Sequence, residues 1–544
     1  MAPPHTNHAA LMNQTSTQSP LLPADPPTRG GDHRHWGSLP GSARSLAILE
    51  ASRRFPGLTL VITGSTDEAQ ALEQELAFYR DDGQDDALLS LPDWETLPYD
   101  MFSPHEAIIS QRIRTLHQLP RMQRGLLVLP ARTLMHRLPP PSFTEGNTLL
   151  LATGDPLPID DWRQRLEAVG YRHADNVQEH GEYAVRGSIL DIYPMGADLP
   201  YRIELFDDEV ETLRTFDPET QRSIDQVERI ELLPAHEFPW DERARQRFRN
   251  RWNEAFPEAP REAPVYQDVA AGIRPPGIEY FLPLFFDETA TLFDYLPQQS
   301  LVLTDPDLQG ALDHFQAEVD ERYEERRYDR YRPILSPKEV FLRTEECFRH
   351  IRRLPRVTWF AGEQPEGAGV LNMPCAPLPD IALDARAEDP AAKLRSFMGE
   401  YSPRVLFAAD SAGRREALLE QLKQYGWDPR EVDHWQQFQT GSDTVGLCTG
   451  PLEHGAWLDE SGVCVIAEAE LYGQRVMQRR RRQRATDSDT EGSIRDLSEL
   501  RVGAPVVHID HGIGRYQGLQ TIEVDGQPTE FLTLQYANGA NLYV

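Results

Sequence analysis

Lysine is the first residue type to examine in this sequence, because several α/β nucleotide sites place a lysine on a phosphate. A P-loop has the spacing GxxxxGK[ST], in which glycines let backbone N–H groups surround the phosphates and the lysine neutralises their charge. The sequence contains three lysines, Lys338, Lys393 and Lys423. None of them follows a glycine or precedes Ser or Thr. The sequence therefore lacks the phosphate cradle of a P-loop ATPase.

Other reactive residues do not form a recognisable catalytic set. The runs Phe285–Glu288 and Val463–Glu468 resemble apolar strands that end in carboxylates, as in the acidic motif of an ATPase. Without a phosphate cradle, we interpret both as ordinary strand ends. His508, Asp510 and His511 lie close together but lack a further ligand cluster for zinc. We therefore predict no catalytic residue, no metal site and no cofactor in this chain, which we do not expect to be an enzyme by itself.

The net charge bears on the kind of partner. With 55 basic and 86 acidic residues, the 544-residue chain has a formal charge of −31. Affinity for DNA depends on Lys and Arg that neutralise phosphates, so this chain is a poor general DNA binder. Its partners are expected to be mainly proteins, although the acidity could instead simply keep the protein soluble.

The cysteines and the apolar runs indicate the cellular compartment of the protein. The four cysteines form no CxxC pair, which argues against a zinc site or a disulfide framework. The N-terminal residues lack the pattern of a secretory signal, and no apolar run approaches the length of a membrane span. We expect a cytoplasmic, monomeric protein without membrane contact.

Two β-turn-α patterns near the N-terminus predict the architecture that carries these residues. The apolar run Leu58–Ile62 is followed by Ser65 and Glu68 at the spacing of a capping box, and then by a helical pattern. A second run, Leu126–Leu129, is followed by a helix predicted over residues 131–138. Such alternation is typical of a parallel α/β sheet.

Changes in pattern along the chain predict a multidomain α/β protein with an inserted small α+β domain. Residues 471–497 combine a basic run with an acidic run, and we interpret them as a solvated linker, with DNA or partner contact as the alternative. The predicted parts are a disordered tail (1–33), the first part of an α/β domain (34–149), an α+β domain (150–237), the second part of the α/β domain (238–370), an α/β middle domain (371–470), the linker (471–497) and a β module (498–544).

The β module is predicted from short alternating runs after residue 500. Val506–Ile509, Gly514–Val524 and Phe531–Tyr536 have the character of strands, and Asn538-Gly539 is a hairpin signal before a last run, Asn541–Val544. So few strands do not easily close a barrel. We therefore expect an incomplete barrel in a truncated chain.

Several motifs, in one order along the chain, resemble those of the bacterial transcription-repair coupling factors. The resemblance covers about residues 36–544 and is specific because many motifs recur together. The motifs are Leu91–Asp100 with Phe102–His105, Glu179–Tyr183, Arg186-Gly187, Asp191–Pro194, Leu205–Glu209, Leu233–Phe238, Gly277–Tyr280, Val506–Tyr516 and Tyr536–Asn538.

The resemblance implies a fold and partners for each part. The first domains would be degenerate RecA/UvrB-like parallel-sheet domains that have lost their ATP site. Residues 150–237 would bind UvrA, and residues 498–544 would be a Tudor-like, CarD-like domain that binds the RNA polymerase β subunit. The family's motor domains, which use ATP and Mg and contact DNA, do not match any part of this sequence.

The family function that the resemblance implies is transcription-coupled nucleotide excision repair. The complete family member displaces stalled polymerase by ATP-driven translocation on DNA, and this chain would recruit UvrA. The alternative is a free-standing CarD-like transcription regulator.

A candidate UvrA-binding surface lies on the strand Tyr201–Phe206. Alternation along a strand places Ile203 with the core and Arg202 with Phe206 on the opposite face. Arg and an exposed aromatic residue are the composition of a protein-binding hot spot. By resemblance, Arg186, Arg202 and Phe206 correspond to family residues that contact UvrA. Alternatively, Phe206 packs under the following turn and the arginines pair with nearby carboxylates.

A candidate polymerase-binding residue is Ile522. Family members use an edge strand at residues 519–523 to extend a sheet of the polymerase β subunit, and strand addition uses main-chain hydrogen bonds with apolar side chains for fit. Burial of Ile522 within a small barrel is the alternative.

Overall fold

The computed structural model describes residues 22–80, 87–384, 386–472, 502–503, 505–508, 512–524, 527–536 and 541–544. Within these ranges, none of the helices has the length and apolar character needed to cross a membrane. Residues 473–497 of the predicted linker lie outside the described residues, and so does the predicted Asn538-Gly539 turn.

A seven-stranded parallel sheet forms the first α/β unit. Its central strands are continuous apolar runs, buried along their whole length, as expected where helices cover both faces of a parallel sheet. The sheet takes strands from both predicted parts of the domain, which therefore form one unit. In spatial order the strands are β15 (Val370–Asn372), β1 (His33–Gly37), β14 (Arg356–Trp359), β13 (Ser300–Thr304), β2 (Leu58–Thr63), β4 (Gly125–Pro130) and β3 (Leu88–Ser90).

The helices of this unit begin where the sequence supplies caps. The Ser65 hydroxyl accepts a hydrogen bond from the Glu68 N–H, so α2 begins at Thr66, and the apolar face of this helix is buried. The helices are α1 (Ala43–Arg54), α2 (Thr66–Tyr79), α3 (Glu106–Gln118), α4 (Ala131–Met135), α5 (Pro141–Gly146), and, after the inserted domain, α7 (Glu242–Ala255), α8 (Pro264–Ala271), α9 (Leu292–Tyr295), α10 (Leu308–Arg326), α11 (Pro337–Val340) and α12 (Thr344–Ile351), with 3₁₀ helices at Leu119–Arg121 and Ile278–Leu284.

The inserted domain is a six-stranded, mostly antiparallel sheet on a two-stranded stalk. The stalk pairs β5 (Leu149–Ala152) with β12 (Arg229–Leu232), and α6 (Ile159–Ala168) follows β5. In spatial order the sheet contains β11 (Ser223–Val227), β10 (Glu209–Phe216), β9 (Tyr201–Phe206), β8 (Ile189–Ile192), β7 (Glu182–Arg186) and β6 (Arg172–His173). Its apolar face continues into the core of the first unit.

A second α/β unit follows residue 390. Its helices are α13 (Ala392–Tyr401), α14 (Ala412–Gln424), α15 (Trp435–Thr440) and α16 (Glu468–Tyr472). Its five strands lie in the order β17 (Arg430–Glu431), β18 (Val445–Thr449), β16 (Arg404–Ala409), β20 (Val463–Ala467) and β19 (Ala456–Leu458). All of its strand pairs are parallel except that of the edge strand β19 with β20.

The C-terminal module is a four-stranded antiparallel sheet. Its strands are β21 (Pro505–His508), β22 (Gly512–Val524), β23 (Gln527–Gln535) and β24 (Asn541–Tyr543), each paired with the next. The β22–β23 register shifts between Tyr516 and Leu519, which marks a bulge in the long strand.

Three local expectations differ from the structure. Residues 22–32 do not behave as the predicted tail, because Leu22 and Ala24 are fully buried in the core around the first sheet. Phe285–Glu288 does not form a strand but follows the 3₁₀ helix Ile278–Leu284, where Phe285 and Phe286 fill the core. Helix α4 ends at Met135 instead of residue 138, since His136 and Leu138 form β-bridges with other segments.

Candidate protein-binding surfaces

The turn between β2 and α2 holds a carboxylate where a P-loop would hold a phosphate. The Gly64 N–H donates to the Glu68 carboxylate at 3.1 Å, and the Ser65 hydroxyl caps the helix. A backbone N–H at a helix start attracts anions, and here the anion is the protein's own side chain. The turn therefore satisfies its own backbone donors with side chains of the same segment.

The corresponding turn of the second unit, between β16 and α14, has a similar arrangement. The Asp410 N–H donates to the Glu468 carboxylate at 3.2 Å, and the Arg414 guanidinium lies 2.6 Å from the same carboxylate. Glu468 follows β20, as predicted, but its side chain is buried and forms an ion pair. Internal carboxylates thus hold the strand-to-helix turns of both α/β units.

The inserted domain contains a buried carboxylate held by two arginines. Asp191, on β8, is fully buried, and Arg202, on β9, donates to its two oxygens at 2.8 and 2.9 Å. Arg186, on β7, also donates to Asp191. The hydrogen bonds to Asp191 raise the pKa of Arg202, whose guanidinium also lies 4.8 Å from the ring centre of Phe216. These contacts lock three neighbouring strands together.

Phe206 has the opposite environment. It ends β9 and is 70% exposed, whereas Ile203 and Leu205 on the same strand are buried. The alternation predicted for this strand is therefore confirmed. The two-residue turn after Phe206 has Asp207 at φ 53°, a conformation that Asp tolerates better than most residues. The Leu157 N–H donates to the Asp208 carbonyl, which fixes the turn against the buried residue Leu157, two positions before α6.

The three predicted UvrA-binding residues lie on β7 and β9, the two strands that flank β8, but they differ in availability. Phe206 projects from the surface rather than packing under its turn, and the Arg186 side chain is 46% exposed. The Arg202 side chain is only 15% exposed because it binds Asp191 and the Gln221 carbonyl. Each alternative is thus half met: the aromatic ring is exposed, while both arginines pair with a carboxylate.

Asp191 has a structural role that the sequence pattern did not assign to it. The residue begins the motif Asp191–Pro194 and lies among Ile189, Leu190 and Ile192. A carboxylate embedded in an apolar strand next to strands that carry arginines indicates a buried ion pair. The sequence alone therefore contains a pattern that indicates this ion pair.

Ile522 lies in the long strand β22, where it pairs with Thr529 of β23. Strand β21 pairs with β22 only up to Arg515. Among the described residues, the second edge of β22 from Gln517 to Val524 therefore has no strand beside it. Neighbouring side chains on this segment, including Leu519, are exposed.

The C-terminal module contacts the first α/β unit through one acidic residue. Glu530, on β23, accepts hydrogen bonds from Arg322, at 3.3 Å, and from Arg326. These arginines lie one turn apart on α10, and burial together with the adjacent Arg322 charge lowers the pKa of Arg326. Tyr516 of the module is buried. A carboxylate between two arginines thus fixes the position of the module.

Residues of the first family motifs form the core of the first unit rather than a surface. Trp94 and Tyr280 are buried with ring centres 5.3 Å apart, and Tyr99 is 3% exposed. Glu279 is buried as well, with the Ser103 hydroxyl donating to it at 2.8 Å. Burial raises the pKa of Glu279 to about 7. These motifs therefore maintain packing and do not identify a ligand.

No group of His, Cys, Asp and Glu side chains within the described ranges is arranged to hold a metal ion. Of the three residues considered for metal binding, Asp510 and His511 lie outside those ranges. The basic run in residues 474–484 lies outside them too.

The fold and these surfaces define a class of protein: an α/β scaffold that carries two β domains, one inserted and one C-terminal, with exposed strand residues. Three segments match described families. Residues 149–238 match the UvrB interaction domain, residues 397–471 the MFD D3 domain, and residues 500–544 the CarD-like/TRCF RID domain.

Whole-chain relatives agree with these matches. The chain is 42% identical to the transcription-repair-coupling factors of Haemophilus influenzae, over 96% of this chain and 45% of the relative, and of Escherichia coli, over 95% and 45%. The Bacillus subtilis protein of the same name is 25% identical over 93% of this chain and 44% of its own length. Nearly the whole chain is thus similar to transcription-repair-coupling factors, and it spans less than half the length of these relatives.

Proposed function

We propose that this chain binds UvrA through its inserted domain and RNA polymerase through its C-terminal module, and so links stalled transcription to nucleotide excision repair. The observation that carries the proposal is Phe206, exposed at a fixed hairpin within the segment that matches the UvrB interaction domain. The match to that domain and the names of the relatives favour this function over a free-standing CarD-like regulator.

Phe206 would supply the central anchor for UvrA. An aromatic side chain on a rigid element loses little conformational entropy on binding, and anchors of this kind account for much of the affinity of an interface. Arg186, which is more exposed than Arg202, would contact the partner directly. Arg202 would mainly hold Asp191 and keep the Phe206 strand in register.

The edge of β22 would bind RNA polymerase by strand addition to its β subunit. Main-chain N–H and C=O groups of the segment 517–524 would extend a sheet of the partner, and Ile522 would supply side-chain fit. The module would adopt a Tudor-like barrel, of which the antiparallel strands β21–β24 form a part.

The remaining features of the proposal concern the α/β units and the complete protein. The two units would be degenerate RecA/UvrB-like domains whose strand-to-helix turns are filled by Glu68 and Glu468. ATP-driven translocation on DNA, with Mg, would belong to motor domains of the longer relatives. The protein would be monomeric and cytoplasmic.

A pull-down with purified UvrA tests the proposal through Phe206→Ala. We expect retention of UvrA by the wild type and a loss of at least about 2 kcal/mol of binding free energy in the variant, as for an interface anchor. Ile224→Ala is the matched control, because Ile224 is 52% exposed on β11 of the same domain.

Folding of the variant must be measured in parallel. Loss of an exposed ring should change the free energy of unfolding by less than about 0.5 kcal/mol, so a thermal melt of Phe206→Ala should match the wild type. A wild-type chain that does not retain UvrA, or a Phe206→Ala chain that retains it fully, would contradict the proposal.

A further inference from the structure

We propose that the surface at the C-terminal end of α10 binds single-stranded nucleic acid. The sequence there is Arg326-Arg-Tyr-Asp-Arg-Tyr-Arg332, with four arginines and one aspartate. This segment carries a formal charge of +3 (4 − 1) within a chain of charge −31. We call residues 326–332 together with Phe102 the Arg-Tyr patch. The inference does not depend on either protein partner proposed above.

The aromatic side chains of the patch are unusually exposed. Tyr328 is 75% exposed, Tyr331 61% and Phe102 65%. Large apolar side chains that stand together on a surface commonly mark a binding site. Aromatic rings with free faces can stack on unpaired bases, and such stacking tolerates any base sequence.

An arginine guanidinium lies against one of these rings, that of Tyr328. The Arg327 guanidinium is 5.1 Å from the ring centre of Tyr328 and 5.6 Å from that of Tyr323. Cation–π contact of this kind restrains the ring and keeps a positive charge beside it. A nucleotide stacked on Tyr328 would therefore have a guanidinium within reach of its phosphate.

The backbone of the patch is fixed before any ligand binds. The Asp329 carboxylate accepts hydrogen bonds from the N–H groups of Tyr331, at 2.8 Å, and Arg332, at 3.1 Å. The Asp329 N–H donates to the Arg326 carbonyl, which continues the end of the helix. Arg332 also contacts the sulfur of Met101, the residue before Phe102. The two chain segments that carry the exposed rings are thus held together.

The ion pairs of Arg327 and Arg330 do not prevent phosphate binding. Arg330, whose side chain is 74% exposed, lies 3.4 Å from Glu258, whose side chain is 80% exposed. Arg327 pairs with Glu324 on the same exposed helix face. Ion pairs between exposed side chains contribute little net free energy, so a phosphate can replace the carboxylate. The patch therefore combines stacking faces with replaceable counter-ions.

Single-stranded rather than double-stranded nucleic acid fits this surface. The base faces of a duplex are covered by their neighbours, whereas unpaired bases can separate and stack on aromatic side chains. The acidic surroundings weaken general attraction for a duplex, since most of its affinity depends on phosphate neutralisation. The competing occupant of the Arg-Tyr patch would be the surface of a second protein.

Fluorescence anisotropy with a labelled oligothymidylate of about 16 nucleotides tests the inference on the full chain. At about 50 mM salt, where electrostatic attraction is only weakly screened, we expect saturable binding by the wild type and weaker binding of the matching duplex. Tyr328→Ala/Tyr331→Ala should bind at least about tenfold more weakly, because two stacking faces are lost. Tyr328→Phe/Tyr331→Phe keeps both rings and should bind as the wild type does.

Arginine variants separate the phosphate contribution from the stacking contribution. Arg330→Gln should weaken binding and reduce the salt dependence, while Arg353→Gln, at an exposed arginine outside the patch, should do neither. Absence of wild-type binding at low salt would overturn the inference in favour of a protein partner. Equal binding by the wild type and the alanine double variant would also overturn it, since stacking would then be irrelevant.

Discussion

Asp191 and Glu530 are both acidic residues bound by two arginines, but in different parts of the molecule. Asp191 lies inside the inserted domain, where its side chain is fully buried and its arginines come from neighbouring strands. Glu530 lies on the C-terminal module, where its side chain is 24% exposed and its arginines come from α10 of another unit. One pair of contacts therefore stabilises a fold, and the other positions one unit against another.

The difference between them lies in what replaces the arginines when they are lost. A fully buried carboxylate has no access to water, so removal of its partner leaves an uncompensated charge at high cost. A partly exposed carboxylate can be rehydrated, and salt screens its attraction to the arginines. The buried cluster should therefore be rigid and indifferent to salt, whereas the contact between units should open reversibly.

The largest effect is expected for Arg202→Met. Methionine keeps most of the apolar stem but leaves the buried Asp191 carboxylate with the partly exposed Arg186 as its remaining guanidinium partner. The free energy of unfolding should therefore fall by about 3 kcal/mol, the lower end of the range for a broken buried ion pair. Urea titration followed by circular dichroism measures this change. Arg202→Met/Asp191→Asn removes the stranded charge as well and should recover part of the loss. A single variant as stable as the wild type would contradict the role given to Asp191.

A third buried carboxylate, Glu279, sharpens the comparison because a hydroxyl rather than a guanidinium donates to it. Its pKa is raised to about 7 by burial, against 4.5 for the free side chain. The neutral Glu279 carboxyl therefore contributes to the free energy of unfolding. This contribution is fully present below pH 4.5 and is lost as the pH rises through about 7. The difference between these two pKa values corresponds to about 3 kcal/mol of stability.

Glu279→Gln tests this pH dependence, since glutamine cannot ionise. Between pH 5 and pH 8, the free energy of unfolding of the wild type should fall by about 2.5 kcal/mol more than that of the variant. Buried histidines such as His236, whose pKa is lowered mainly by burial, act in both proteins and cancel from the difference. Parallel stability curves for the two proteins would show that Glu279 is already ionised at low pH.

Sequence patterns predicted the architecture well where local chemistry determines it. The runs Leu58–Ile62 and Val463–Ala467 are buried parallel strands, and the Ser65–Glu68 spacing does cap α2. The exposed face of β9 also followed from simple alternation. In these segments, burial of apolar side chains and capping groups act within a few residues, so the sequence alone contains the information.

Features that depend on distant segments could not be predicted from local patterns. Composition assigns Leu22 to a polar tail, yet it packs against the first unit. Arg112 pairs with Glu237, and both side chains are buried. The contact of Glu530 with Arg322 joins residues 208 positions apart. Such pairs have no periodic signal, because they depend on how whole units pack.

The smallest effect is expected for Glu530→Gln, which breaks the contact between units at a carboxylate that is partly exposed. The contact should contribute about 1 kcal/mol or less, as for other partly exposed ion pairs, so global unfolding should change little. Hydrogen exchange should nevertheless become faster in β22 and β23, because their packing against α10 would open more often.

Raised salt should produce the same acceleration in the wild type and add little in the variant. Glu324→Gln is the matched control: Glu324 pairs with Arg327 within α10, so its loss should leave exchange in the module unchanged. Unaltered exchange in Glu530→Gln would mean that buried Tyr516, rather than the ion pair, holds the module. In that case the comparison with Asp191 would fail, because apolar packing rather than an ion pair would hold the C-terminal module in place.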